Sequence, residues 1–203
     1  MACVEMIGLL PCRGCQGLDT PLFSWYVQEV HHEFSFMLIA TAPTPPAEVK
    51  WVCPDCTPSE KYVLNEVQKK TKVTDRYALA TILGNIKSES NFHANICEGG
   101  ARVSYDRCYR GGYGIIQWTS TKRYLGLGKF GKRYGCDPST LKCQVRYMFT
   151  EPQFKSALRS FEVPGKSLSY YNQGAYRWLG WGIKGYRQVY AQRYANRLSV
   201  TGA

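Results

Sequence analysis

The chain has 203 residues, 44% of them hydrophobic, which excludes wholesale disorder and allows one large domain or a small module plus a core of about 140 residues. Its net charge of +11 is unevenly distributed: residues 1–60 carry two basic and seven acidic side chains, whereas residues 61–203 carry 24 basic and eight acidic ones. This asymmetry predicts two modules with different partners. The basic module suits a polyanion, either nucleic acid or the acidic peptides and polymers of a bacterial wall.

No segment of the sequence predicts a membrane span or a standard secretion signal. The longest apolar run, Phe36 to Ala40, is far too short to cross a bilayer. The first residues lack the basic start of a secretory signal, and Met6 to Leu10 is too short for its apolar segment. We therefore expect the protein to be made and folded in a cytoplasm, so a wall-directed activity would need another route of delivery.

The N-terminal part carries the signature of a small metal-stapled β module. Two Cys-x-x-Cys turns, Cys12 with Cys15 and Cys53 with Cys56, supply four thiolates that suit a tetrahedral structural zinc ion. Between them, alternating apolar side chains in residues 23–38 predict β-strands. Two disulfides or free thiols are the alternatives to zinc, because the gap between the two pairs is longer than in most zinc ribbons.

The sequence divides at residue 58 into this module (1–58) and a mostly helical domain (59–203). Apolar periodicity and capping residues predict five helices in the second part: 60–70 with Ser59 as N-cap, one from Thr74 to Glu89, one opened by Asp137 and Pro138, 153–161, and 184–198. The glycine-rich stretch 96–118 lacks helix periodicity. The domain order is therefore a β module followed by helices that enclose one irregular segment.

Glu89 is the leading candidate for a catalytic residue because it ends a buried helix face. Leu79, Ile82, Leu83 and Ile86 have the i, i+3, i+4, i+7 spacing of a buried stripe, which Glu89 continues. Burial disfavours the charged form of a carboxyl group, so we expect a raised pKa. Glycosidic cleavage requires a general acid that keeps its proton near neutral pH. The alternative is a solvated glutamate at a helix end.

Three short motifs stand in order in the basic part: Glu89-Ser-Asn-Phe92, Gly112-Tyr-Gly-Ile-Ile-Gln-Trp118 and Tyr170-Tyr-Asn-Gln-Gly174. With them, the chain from about Thr74 to Leu198 resembles the phage tail lysozyme family and, more distantly, the lytic transglycosylases. The strongest match is Gly-Asn-Ile-x-x-Glu-Ser-x-Phe, residues 84–92. The resemblance implies a lysozyme-like α+β fold in which residues 96–118 form a small β-hairpin lobe, and a glycosidase that cleaves peptidoglycan.

Two carboxylates, Asp106 and Glu98, lie in this expected hairpin lobe across from Glu89. Either could orient water or stabilise an oxocarbenium-like transition state, and Asp106 is the preferred candidate. If neither is essential, the mechanism would resemble that of lytic transglycosylases, in which the sugar's own hydroxyl attacks. Zinc amidase and metallopeptidase chemistry is disfavoured because residues 61–203 contain a single histidine, His93.

Aromatic and amide side chains near the motifs are predicted to bind the glycan. Aromatic rings offer flat faces to the C–H surfaces of sugars, and amides can hydrogen-bond acetamido groups. The predicted binding set is Tyr113, Gln117, Trp118, Tyr171 and Asn172. Trp178 and Trp181 are either binding or core residues.

Two further cysteine pairs flank short segments in the basic part, Cys97 with Cys108 and Cys136 with Cys143. Both could form disulfides once outside a cell, whereas free buried thiols are the alternative in a cytoplasmically folded protein. Cys3 has no evident partner.

The functional prediction is a virion-associated bacteriophage enzyme that cuts the β-1,4 glycan of peptidoglycan during entry into the host. The particle would deliver it, and the N-terminal module would dock on other tail or baseplate proteins. An endolysin released at lysis is the near alternative. Two other classes remain open: a non-catalytic tail or wall-binding protein with a lysozyme-like shape, and a zinc-ribbon nucleic-acid-binding protein, which would leave the surroundings of Glu89 unexplained.

Overall fold

The computed structural model describes residues 49–109 and 111–201, which form a mostly helical unit with a two-stranded antiparallel sheet. The α+β fold class is therefore confirmed. The elements are β1 (Trp51–Val52), α1 (Pro58–Lys70), α2 (Arg76–Ser90), α3 (Thr121–Tyr134), α4 (Leu141–Met148), α5 (Pro152–Phe161), α6 (Leu168–Leu179), α7 (Arg187–Arg197) and β2 (Ser199–Val200). Cys3, Cys12, Cys15 and the strands predicted in residues 23–38 lie outside the described residues.

Helix α2 forms the centre of the core. Its predicted stripe is confirmed: Leu79, Ile82, Leu83 and Ile86 are each at most 1% exposed. Helix α7 makes the most extensive contacts with α2, and α6 and α1 also pack against it. A helix with neighbours on several sides buries nearly all its length, which is why α2 is apolar beyond a single stripe.

In three of the five predicted helices the start differs because a better cap lies nearby; α5 and α7 also start one and three residues from their predicted positions. Thr57, not Ser59, caps α1; its side chain accepts from the Glu60 amide, and Glu60 reciprocates in a capping box. Asp75, not Thr74, caps α2. Helix α4 begins after Thr140, because the segment opened by Asp137 forms a turn first. The predictions placed these helices correctly and misplaced their starts by one to three residues.

Two helices were not predicted, α3 and α6. Helix α3 contains three glycines, which have poor helix propensity. Two of these glycines leave room for neighbouring tyrosines. A Cβ at Gly126 would collide with the Tyr147 hydroxyl, and one at Gly128 would collide with the Tyr105 hydroxyl. Helix α6 contains the motif Tyr170 to Gly174.

The glycine-rich segment 96–118 forms a lobe with little regular structure. Two isolated antiparallel bridges join Ile96 to Arg102 and Cys97 to Tyr113, and the Cys97–Cys108 disulfide closes the segment. Cys136 and Cys143 are also joined in a disulfide. Both pairs are thus disulfides rather than the alternative free thiols.

The sheet joins the two ends of the described chain. Trp51 pairs with Val200 and Val52 with Ser199, and Arg197 forms an ion pair of 2.8 Å with Asp55. Residues 51–56 therefore contact the helical unit directly, while the domain boundary at residue 58 stays a prediction. In the described part of the chain, no helix combines the length and apolarity that a bilayer span requires.

Candidate functional site

Helix α2 carries Glu89 at its last turn, one residue before the helix ends. The chain then leaves the helix through two residues with left-handed backbone, Asn91 (φ 53°) and Phe92 (φ 62°). Left-handed backbone is rare for residues other than glycine and often marks functional sites. The Glu89 side chain is 13% exposed, so it is largely buried at the point where the apolar face reaches the surface.

Gly84 brings a second helix to Glu89. A Cβ at residue 84 would lie 2.5 Å from the backbone nitrogen of Ala191, so only glycine lets α7 pack this closely on α2. The two helices run antiparallel. Arg187 lies one turn before Ala191 on α7, and Glu89 lies little more than one turn after Gly84 on α2. Close helix packing therefore places the two charged side chains together.

Buried polar side chains of α2 join the three sequence motifs. The Asn85 Nδ2 donates to the Asn172 Oδ1 at 3.2 Å, which links α2 to α6. The Ser90 hydroxyl donates to the Ile115 carbonyl at 2.8 Å, which links the end of α2 to the glycine-rich segment. Gln144 of α4, fully buried, accepts from the Ile115 amide on the other side. These bonds fix the geometry around Glu89.

Glu89 and Arg187 form a buried ion pair. The Glu89 Oε1 lies 2.7 Å from the Arg187 Nη2, and the two side chains are 13% and 9% exposed. Burial raises the pKa of Glu89 above its ordinary value, outweighing the opposite effect of the Arg187 and Arg123 charges. Burial likewise lowers the pKa of Arg187. The Glu89 carboxyl therefore keeps its proton to a higher pH than a solvated glutamate does.

Arg187 has hydrogen-bond donors that no described residue satisfies. Its Nε and Nη1 are buried and make no hydrogen bond within the described residues, and its guanidinium lies 4.6 Å from the ring centroid of Trp181. Unsatisfied buried donors are costly and uncommon in folded proteins. Their presence beside a desolvated carboxyl is typical of a functional site rather than of a structural ion pair.

The ion pair lines a cavity of about 810 Å³, which we call the Glu89 cleft. This size is within the usual range for ligand sites, about 300–1,000 Å³. The glycine-rich segment and the start of α3 form one wall; Glu89 of α2, Arg187 of α7 and the end of α6 with its following loop form the other, helical wall. The residues used below are Glu89, Gln117, Arg123, Arg177, Trp181 and Arg187.

A slightly larger depression, about 900 Å³, lies along α1 and the residues after it. It is lined mainly by polar and basic side chains, among them Lys50, Lys69 and Lys72, and its carboxylate, Glu66, is only half-buried. We assign the candidate site to the Glu89 cleft instead, because that cavity combines a desolvated carboxyl with unpartnered buried donors.

The two carboxylates proposed as partners of Glu89 lie elsewhere. Asp106 is exposed, and a hydrogen bond from the Ser104 hydroxyl lowers its pKa. Glu98 is also exposed and accepts a 2.7 Å hydrogen bond from the Gly112 amide, so it closes the glycine-rich loop. Neither lines the cleft. Among the described residues, Glu89 is the only carboxylate in its lining.

Three of the five predicted binding residues are core residues. The rings of Tyr113, Trp118 and Tyr171 are each 0% exposed, so they have no surface to offer a glycan. The hydroxyl of Tyr113 donates to the Val103 carbonyl, and that of Tyr171 to the Val163 carbonyl. Large rings stabilise a fold most when fully buried, and their motif positions reflect packing.

The remaining candidates have different positions. Gln117 lines the cleft, with left-handed backbone (φ 51°) and a hydrogen bond from its Nε2 to the Gly114 carbonyl. Asn172 is 5% exposed and bonded to Asn85, so its first role is structural. Trp178 is 1% exposed and therefore core, whereas Trp181 is half-buried and lines the cleft.

The residue that the sequence reasoning missed is Arg187. A charged side chain on a helix usually indicates a solvated face, yet Arg187 shares the buried face of α7 with Ala191, Tyr194 and Ala195. Those positions have the spacing i, i+4, i+7, i+8 of one helix face. An arginine at the first position of this mainly apolar face is the sequence pattern that could have identified Arg187. Arg123 also lines the cleft, and its guanidinium donates two hydrogen bonds to the carboxylate of the buried Glu151.

The described half of the predicted zinc site is oxidised. The ligand atoms of Cys53, Asp55 and Cys56 lie within 4.8 Å of one another, a spacing that could hold a metal ion. The two sulfurs are joined in a disulfide, however, and a sulfur in a disulfide is not a thiolate ligand. The pair is consistent with a Cys-x-x-Cys module, while zinc stays a prediction.

The fold and the cleft define a mostly helical domain with one desolvated carboxyl at the end of its central helix. The model of the family described as phage tail lysozyme matches residues 59–198, and the chain belongs to this family. No curated protein and no solved structure is significantly similar to it. Membership indicates a lysozyme-like peptidoglycan hydrolase associated with phage tails.

Proposed function

We propose that this protein is a virion-associated glycosidase that cleaves β-1,4 bonds of host peptidoglycan during entry, with Glu89 as the general acid. The observation that carries the proposal is the desolvated Glu89 carboxyl, with its raised pKa, in a cleft of ligand-binding size. The family match supports the substrate class. The basic surroundings of the cleft suit the anionic wall.

Glu89 would protonate the oxygen that bridges two sugars. The C–O bond then breaks with its electron pair passing to that oxygen, and positive charge develops on the anomeric carbon and ring oxygen. A hydroxyl group adds to the anomeric carbon and returns its proton to the Glu89 carboxylate. Because a bound glycan displaces water from the cleft, it further disfavours the charged carboxyl before the proton is transferred.

Arg187 has two roles in this scheme. Its ion pair with Glu89 fixes the orientation of the carboxyl before substrate binds. After proton transfer, the same guanidinium stabilises the carboxylate that is formed, at a site where low solvent access strengthens the interaction. Glu89 is thus stabilised in the form that the second half of the reaction needs.

The absence of a second carboxylate from the described cleft lining favours one variant of the chemistry. In a lytic transglycosylase a hydroxyl of the sugar itself attacks, so no residue has to activate water. We therefore propose intramolecular attack as the alternative outcome to hydrolysis. Mass spectrometry of the released fragments distinguishes them, since intramolecular attack gives a terminal sugar that is one water lighter than the hydrolysis product.

The central test compares the wild type with Glu89→Gln on purified bacterial wall. The amide keeps the shape of the side chain and cannot donate the proton, so wall clearance is expected to fall about 100- to 10,000-fold. Glu66→Gln is the matched control, because it makes the same change at a half-buried glutamate of α1 outside the cleft. Equal clearance by the wild type and Glu89→Gln would overturn the proposal.

Two outcomes of this test support other functions. If neither protein clears the wall but both sediment with it, the chain is a non-catalytic wall-binding protein. If the chain binds DNA in a salt-dependent manner and neither clears the wall nor sediments with it, it is a nucleic-acid-binding protein.

The place of action is the second part of the proposal. We propose that the protein is made in the host cytoplasm and assembled into the particle, with residues 1–58 docking on other tail or baseplate proteins. It should then co-purify with intact particles, and a chain lacking residues 1–48 should not. Detection in the lysate alone, never in particles, would indicate an endolysin.

A structural zinc in the N-terminal module remains part of the proposal, held by Cys12, Cys15, Cys53 and Cys56 when all four are reduced. The test is the zinc content of the full chain purified under reducing conditions. A stoichiometric amount is expected, and it should be lost in the double variant Cys12→Ser, Cys15→Ser. Metal-free wild-type protein that is nonetheless folded would contradict it.

A further inference from the structure

A second cavity of about 310 Å³ adjoins the Glu89 cleft. Arg177 and Trp181 line both cavities, so the two share one wall. We call the second one the side cavity; its own lining includes Gln173, Tyr176 and Lys184. A ligand that fills the cleft can therefore extend past the shared wall without leaving the protein surface.

The side cavity is positively charged. Arg177 and Lys184 are its charged lining residues, and it has no carboxylate in its lining. The polar contacts of both are with neutral groups: Arg177 with the Ser160 hydroxyl, and Lys184 Nζ with the Gln188 Oε1 at 2.7 Å. No ion pair among the described residues neutralises either charge. Two uncompensated cations around a small cavity favour an anionic ligand.

One side of the same cavity is aromatic. Tyr176 is 53% exposed, and its ring meets that of Trp181 edge to face with centroids 5.4 Å apart. On the same helix, the rings of Tyr171 and Trp178 are almost completely buried. The exposed ring offers an apolar surface beside the two cations, which suits a ligand with both aliphatic and carboxylate groups.

We propose that the side cavity binds the acidic peptide attached to the wall glycan while the glycan itself lies in the Glu89 cleft. This inference rests on the proposed function, because it assigns the peptide to a site next to the cleavage point. Across the two cavities, four basic side chains, Arg123, Arg177, Lys184 and Arg187, accompany one carboxyl, that of Glu89. The preferred substrate is therefore a peptide-bearing glycan rather than a bare one.

The test uses two forms of one soluble glycan, with its peptides and after their enzymatic removal. For each protein, kcat/KM is measured on both forms, and their ratio is compared. Lys184→Gln and Tyr176→Ala should each lower the ratio of peptide-bearing to bare substrate, by about ten-fold for Lys184→Gln, because a charge-assisted contact is lost. Both residues are exposed, so the variants should fold, which their thermal midpoints will verify.

The matched controls make the same changes away from both cavities. Lys155→Gln removes an exposed charge from α5, and Tyr109→Ala removes a ring that is 86% exposed. Neither should alter the ratio. An unchanged ratio in Lys184→Gln, or equal losses on the two substrates, would overturn the inference.

Binding separates this inference from the proposed function. Calorimetry with full-length Glu89→Gln measures the affinity for the peptide-bearing fragment without any cleavage. If the double variant Glu89→Gln, Lys184→Gln binds the peptide-bearing fragment more weakly than Glu89→Gln alone, the side cavity is supported. This holds even if the wild type proves inactive, in which case only the catalytic proposal fails. Equal affinity for peptide-bearing and bare fragments would contradict the side cavity even if cleavage is observed.

Discussion

The two walls of the Glu89 cleft are built in different ways. On one side, α2 and α7 hold a carboxyl and a guanidinium 2.7 Å apart through close helix packing. On the other, residues 96–118 have little regular structure and are held by a disulfide and by side-chain bonds to the backbone. The helical wall therefore supplies the reactive group, whereas the glycine-rich wall supplies shape and the amide of Gln117.

The largest expected effect is on the helical wall. Gly84→Ala introduces a Cβ that would lie 2.5 Å from the Ala191 backbone nitrogen, so α7 must move away from α2. We expect a loss of about 3 kcal/mol in the free energy of unfolding, measured by urea denaturation, together with a loss of activity because Arg187 moves with α7. Gly182→Ala is the stability control, since its added Cβ would meet nothing within 4 Å.

The glycine-rich wall should respond to loss of its disulfide. Replacing Cys97 and Cys108 by serine opens a loop with a sequence separation of 11 and should cost about 3 kcal/mol of unfolding free energy. Replacing Cys136 and Cys143, with a separation of 7, should cost nearly as much. Wall clearance below the melting temperature should fall mainly in the first variant. Unchanged clearance in the Cys97, Cys108 variant would show that the lobe's order is unimportant for the cleft.

The pH dependence of activity tests the ion pair. Arg187→Met removes the positive charge that favours ionised Glu89, so the pKa of Glu89 should rise further. Activity that needs protonated Glu89 disappears as the pH rises through that pKa, so the alkaline limb of the kcat/KM profile should move to higher pH. Arg187→Lys keeps the charge and should leave the limb near its wild-type position. A uniform loss of activity with an unmoved limb would indicate a purely structural arginine.

The smallest effects are expected at the two carboxylates of the lobe. Asp106→Asn should leave kcat/KM within about two-fold, because an essential catalytic group would contribute about 100-fold or more. Glu98→Gln weakens the bond to the Gly112 amide and should cost about 1 kcal/mol of stability. A 100-fold loss in Asp106→Asn would mean that the lobe closes over bound substrate, and it would contradict the one-carboxylate mechanism.

Sequence reasoning found helical segments more readily than residue roles. The stripe of α2 identified its buried face and placed Glu89 at its end, because a helix repeats its environment every three or four residues. The same reasoning missed α3, because its glycines have a low intrinsic helix propensity. Two of these glycines leave room for neighbouring tyrosine side chains, a requirement that arises only from tertiary packing. It also took Tyr113 and Trp118 for binding residues, because a ring that binds sugar and a ring that fills a core look alike in sequence.

The α+β class, the family and Glu89 as the candidate catalytic residue could be predicted from the amino-acid sequence alone. For the two cysteine pairs of the basic part, the sequence left two alternatives, disulfides or free thiols. These depend on local periodicity, spacing and motif order, which are properties of neighbouring residues. The folded structure was needed to show that Arg187 is the partner of Glu89 and that Asp106 and Glu98 lie outside the cleft. It was also needed to show that Tyr113, Trp118 and Tyr171 are core residues. Those facts depend on contacts between residues distant in the chain, such as α2 with α7, whose distances no local pattern specifies.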